Sequence, residues 1–188
     1  MGAQYWTNPI AQALGDGPTI VAAAAATCIP TQARVTLPNG FFDKPGKQLR
    51  ITAAGRISCV VTTPGTARYD VRLGASAIVA FDSQAIPLNI VAKTTVGWWL
   101  EILLTCRTVG SGTSATLLGQ GFWTSEAGIG APAASAGAPG SFVLPYNTAP
   151  VAGAGFDSTS ALALDLFFTQ TVATGAMTLH QYLAEEIW

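Results

Sequence analysis

Strict alternation of apolar and polar residues recurs along most of this chain, and it restricts the fold more than any other feature. A side-chain period of two belongs to a strand with one face on a core and the other on solvent. Ile51, Ala53, Gly55, Ile57, Cys59 and Val61 share one face of a first run, with Arg50, Thr52, Arg56 and Ser58 on the other. Ala67, Tyr69, Val71 and Leu73 then alternate with Arg68, Asp70 and Arg72. Those three charges read as a solvated ladder worth under ~1 kcal/mol per pair. From Trp98 to Arg107, Leu100, Ile102, Leu104 and Cys106 share a face. The opposite face, Trp99, Glu101, Leu103, Thr105 and Arg107, is mixed and is expected to be covered. No helical amphipathic stretch competes. Only Val21 to Ala26, by the helix propensity of Ala, predicts a turn or two of helix.

Turn residues punctuate these runs. Thr62-Thr63-Pro64-Gly65 predicts a hairpin between the first two. Gly110-Ser111-Gly112 turns the long strand into a partner, Thr113 to Ser125, which carries Leu118, Phe122 and Trp123. Leu162–Phe168 and Met177–Leu183 form another predicted pair across Thr174-Gly175. About eight to ten strands in one domain predict an all-β fold, a two-sheet antiparallel β-sandwich or a single jelly roll. Its span is residues 33–188, and residues 1–32, with Asp16 as their one charge and several Gly and Pro, read as an N-terminal arm.

Charge is scarce. Nine Lys and Arg stand against ten Asp and Glu in 188 residues, or 10% charged, where soluble domains carry about 25%. Hydrophobic residues make up 49%, the opposite of a disordered chain. Six Arg and three Lys, scattered, make no basic stripe for nucleic acid. The longest apolar run, Ile20 to Ile29, has ten residues, against about 18 for a membrane-spanning helix. So few charges cover the surface of such a domain poorly, which predicts that other copies or another protein cover part of it. A surface dressed by the 22 Thr is the plainer alternative.

With no Lys or Arg before Arg34, the start of a secretory signal is missing, and synthesis in the cytoplasm without export is expected. Cys28, Cys59 and Cys106, odd in number and widely spaced, read as buried thiols rather than a disulfide framework.

Catalytic chemistry finds little to use. His180 is the one histidine, set in a predicted strand, and a dyad with Cys106 is disfavoured because that cysteine falls on the core face. No Cys-x-x-Cys, His-x-x-x-His or Asp-x-Asp cluster offers a metal site, and no cofactor is expected. Asp157-Ser158-Thr159 reads as a turn closed by the Asp side chain. The five Trp invite a sugar-stacking reading, but core and interface packing is the stronger one.

Several stretches resemble a family of small tailed-bacteriophage virion proteins. They are Gly46 to Ser58, Thr62 to Thr66, Asp70 to Gly74, Pro87-Leu88-Asn89, Lys93 to Val96, Leu103 to Arg107 and Met177 to Tyr182. The resemblance implies a tumour-necrosis-factor-like jelly roll that forms a homotrimer on the outer surface of a virion, without enzymatic activity. Its partners would be further copies of itself and the major capsid protein or another virion protein, with no nucleic acid or membrane involved. The leading expectation is a capsid decoration (cement) protein made in the host cytoplasm, with Trp6, Trp99, Leu103, Phe167, His180 and Tyr182 as candidate subunit or partner contacts. The alternative is a tail or fibre knob that binds a host glycan through aromatics such as Trp123 or Phe142, with the uncharged loop Ala127 to Gly140 as its receptor edge.

Overall fold

Alternation this regular makes strands whose apolar faces must close on one another. A computed structural model describes residues 7–60, 65–74, 77–129, 140–173 and 175–187. Among them are twelve strands: β1 (Thr7–Gln12), β2 (Ala26–Thr27), β3 (Val35–Leu37), β4 (Gln48–Cys59), β5 (Thr66–Leu73), β6 (Ile78–Asp82), β7 (Ile86–Pro87), β8 (Lys93–Thr108), β9 (Thr116–Ser125), β10 (Gly140–Leu144), β11 (Leu162–Gln170) and β12 (Ala176–Ile187). The first sheet runs β1-β12-β4-β8-β9-β10 and the second β2-β11-β5-β6, with β3 also on β11 and β7 on β5. Every pairing is antiparallel. The molecule is an all-β, two-sheet sandwich.

The core is made of the residues that the alternation marks. Ile51, Ala53, Ile57 and Cys59 on β4, Tyr69, Val71 and Leu73 on β5, and Leu100, Ile102, Leu104 and Cys106 on β8 are all buried between the sheets. Each large aliphatic among them contributes about 1.5–3 kcal/mol by leaving water.

Connections differ from two of the expected hairpins. The β8–β9 hairpin forms as expected, from Trp98 opposite Ser125 to Thr108 opposite Thr116. By contrast β4 lies in the first sheet and β5 in the second, and β11 and β12 are divided in the same way. Turn composition marks where the chain reverses. Two strands with one apolar face each satisfy that pattern equally well side by side or stacked face to face across a core.

The predicted helix over Val21 to Ala26 does not form; bends lead into β2 instead. Both ends of the stretch are tied down. Ile20 exchanges backbone hydrogen bonds with Met177, and the Cys28 N–H donates to the Leu166 carbonyl at 2.9 Å. A short helix has too little intrinsic stability to break such ties. Within the stretch expected as an arm, β1 and β2 are edge strands of the two sheets, on β12 and β11 respectively. Cys28 and Ile29 are fully buried there.

The opposite side is closed by the segment after β10. Tyr146 N–H donates to Ser83, Ala154 N–H to Val79 and Gly153 N–H to Leu117. Gly153 permits that approach, because a Cβ there would stand 2.0 Å from the Ala80 carbonyl oxygen.

Charges on β5 are less solvated than the ladder reading expects. Asp70 is only 4% exposed, lying between Arg72 at 2.6 Å and Arg68 at 3.6 Å. Arg68 also donates through Nε to Asp82 Oδ1 at 2.8 Å. The carboxylate is thus held between two guanidinium groups rather than standing free in water.

Asp165 on β11 is a half-buried carboxylate shifted by its surroundings. Burial pushes its pKa above the ordinary 3.8, opposed by the Thr27 hydroxyl, Arg34, the Leu166 N–H and Arg72. A raised folded pKa gives stability that is present below the unfolded value and lost as pH rises through the folded one. Raising the pH from below 3.8 to neutrality is therefore expected to lower the thermal midpoint of the wild type more, or to raise it less, than that of Asp165→Asn. Equal slopes in the two proteins would remove Asp165 as the cause.

Candidate assembly surface

The strand phase that buries Leu100 and Ile102 necessarily turns Trp99, Glu101 and Leu103 outward on β8. Register then assembles a patch around them. Glu101 stands directly opposite Phe122 on β9, and Phe122 directly opposite Val143 on β10. Trp99 is 44% exposed, Leu103 36%, Phe122 41% and Val143 72%. Trp99, Leu103 and Phe122 thus flank one carboxylate on the outer face of the first sheet, with Thr52 of β4 on its fourth side and Val143 beyond Phe122. Beside them Ala54 on β4 leaves a shallow depression bordered by Thr52, Trp99, Gln181 and Leu183.

The outer face of the second sheet has another character. Its Arg68, Asp70, Arg72 and Asp82 are paired with one another. Phe167, half-buried, lies under the Arg72 guanidinium at 3.9 Å from the ring centroid.

Of the expected contact residues, Trp99 and Leu103 lie together in the apolar patch. Trp6 falls outside the described residues. Phe167 is on the other sheet, and His180 sits apart with Nδ1 2.7 Å from Asp16 Oδ1. Tyr182 is a correction. A bulge between Leu179 and Gln181 shifts the alternation of β12 by one residue, so Gln181 faces out and Tyr182 faces the core at 4% exposure. Its buried hydroxyl has no hydrogen-bond partner among the described residues, and burial pushes its pKa up.

The aromatics named for glycan binding are also corrected. Trp123 is fully buried and Phe142 nearly so, with ring centroids 5.7 Å apart. Strand phase places both inside, since the two are directly opposite in the β9–β10 register. Of the loop Ala127 to Gly140, positions 130–139 lie outside the described residues, and Ala127 is fully buried. Phe122 was visible in the sequence but not singled out as a contact. A count symmetric about the Gly110–Gly112 turn would place it opposite Leu100; the register offset, with its shift between Cys106 and Thr108, is what sets it opposite Glu101.

Elsewhere the reactive groups are enclosed. Burial pushes the Cys28, Cys59 and Cys106 thiols up, and protonated thiols are poor nucleophiles. Cys106 lies toward the Gln48 end of β4, whereas His180 lies beside Ala54 and Gly55. Asp157 accepts from the Thr159 hydroxyl at 2.6 Å and N–H at 2.9 Å, closing a turn as expected. Those bonds hold its carboxyl below the usual range. Among the described residues, no group of three or more His, Cys, Asp and Glu is placed to hold a metal ion. No helix among them is long and apolar enough to cross a membrane.

No protein-family model, curated protein or solved structure matches the chain.

Proposed function

We propose that this protein is a non-enzymatic structural subunit of a tailed-bacteriophage virion: a homotrimeric decoration (cement) protein of jelly-roll type on the outer capsid surface. The observation that carries the reading is the cluster of Trp99, Leu103, Phe122 and Val143 on one sheet face. Contiguous exposed apolar surface of this kind marks a surface that another protein covers. A protein that binds only the assembled shell stabilises that shell by mass action. Three copies on one axis use a weak contact three times and raise the avidity without new chemistry. The glycan-knob reading is not favoured, because Trp123 and Phe142 are in the core.

Light scattering on the purified chain is expected to give the mass of three copies, and sedimentation with expanded phage heads is expected to carry it into the head fraction. A protein that stays monomeric and ignores heads refutes the proposal.

A further inference from the structure

We infer that the outer face of the first sheet docks a second copy of this chain, with Phe122 seated over Ala54 of the neighbour and Glu101 paired with its Arg56. The inference rests on the assembly reading above and names the contact. Two halves of this one face are complementary in shape and in charge. On the β8–β9 half Phe122 projects into solvent, and Glu101 is its direct cross-strand neighbour. On the β4–β12 half Ala54 floors the depression beside Trp99 and Leu183. Arg56 follows two residues later on the same strand face, exposed.

Neither Glu101 nor Arg56 has an ion pair among the described residues. Directly opposed residues have Cβ atoms about 5 Å apart, and residues i and i+2 on a strand are about 6.6 Å apart. An aromatic and an acid at the first spacing therefore meet a hole and a base at nearly the same spacing.

The lining of the depression favours a protein side chain over a sugar. Ala54, Trp99 and Leu183 present carbon, and only Thr52 and Gln181 add polar side chains beside it. Burying Glu101 under a neighbour without a partner costs several kcal/mol, and Arg56 of the second copy supplies that partner.

Sedimentation equilibrium of the full chain tests this with Glu101→Arg, Arg56→Glu and the double reversal. Each single reversal is expected to weaken self-association about tenfold or more, and the double reversal to return it to within about threefold of wild type. Ala54→Trp, which fills the depression, is expected to weaken it as well. Near-UV circular dichroism checks that each variant keeps its fold. Where a reversal fails that check, Glu101→Gln and Arg56→Gln replace it in a double-mutant cycle, and a coupling near zero overturns the pairing.

A wild type that assembles while the single reversals change nothing overturns this contact and leaves the assembly reading standing. A wild type that is monomeric at every concentration and ignores heads ends both. A monomer whose attachment to heads is abolished by Glu101→Arg assigns the face to another virion protein, and likewise overturns the pairing.

Discussion

Replacing Trp123 with Ala lowers the unfolding free energy by about 3–5 kcal/mol, read as a fall in the denaturant midpoint at unchanged slope. Among the described residues Trp123 is the largest fully buried side chain. Its ring lies between Tyr69, with centroids 6.2 Å apart, and Phe142 at 5.7 Å. Nε1 donates to the Tyr69 hydroxyl at 3.2 Å. Truncation therefore leaves a cavity and removes the donor to a buried hydroxyl. Domains of this size are stable by about 5–15 kcal/mol, so the loss is about a fifth of the total or more. Trp123→Phe separates the two effects, because it keeps an aromatic ring and removes the indole donor, at about 1–3 kcal/mol. An Ala variant within about 1 kcal/mol of wild type would contradict the burial of this residue.

Phe122→Asp has the opposite profile one residue earlier. Phe122 faces away from the core, so its loss leaves no internal cavity. The new carboxylate stands opposite Glu101, and a like-charged cross-strand pair costs under about 1 kcal/mol. Monomer stability is therefore nearly unchanged. Assembly is not. An aromatic at the centre of a contact is worth about 2 kcal/mol or more, and a buried unpaired charge adds to that. Self-association is expected to weaken about 100-fold, equivalent to about 2.7 kcal/mol. Sedimentation measures the association and chemical unfolding measures the fold. Two neighbours in sequence, one expected to act on folding and one on the proposed assembly, make a sharp comparison. Unchanged association in Phe122→Asp would remove this patch from any contact between copies.

Much of the sandwich was legible. The phases of β4, β5 and β8 are readable because a strand's side chains alternate strictly, and each of these strands buries the residues that its pattern marks. The β8–β9 hairpin is readable because a Gly-rich turn joins strands whose pairing is local. The β12 phase beyond Leu179 was not. A bulge adds one residue without any compositional mark, and it turned Tyr182 from an expected contact into core. Asp70 was misread for a related reason. Alternation says that it faces outward, but its pairing with Arg68 and Arg72 and its burial depend on where neighbouring side chains lie.

The candidate surface was half legible. Trp99 and Leu103 stood out as apolar residues on the non-core face of β8. Val143 joined them only through the β9–β10 register across residues 126–139, a separation that local pattern cannot bridge. Ala54 became the floor of a depression only once β12 was paired beside β4.

The division follows from the range of the forces involved. Period-two burial, turn chemistry and charge scarcity act within a few residues, so the sequence alone determined an all-β chain, the inward residues of its central strands and a surface poor in charge. Which strands pair, which stack across the core and which apolar side chains share one outer face depend on contacts between distant segments. Loop-closure entropy weighs little against that choice, since it changes slowly with loop length. Joint burial of every apolar face decides it, and only the tertiary structure shows where β5 and β11 part from their neighbours in sequence.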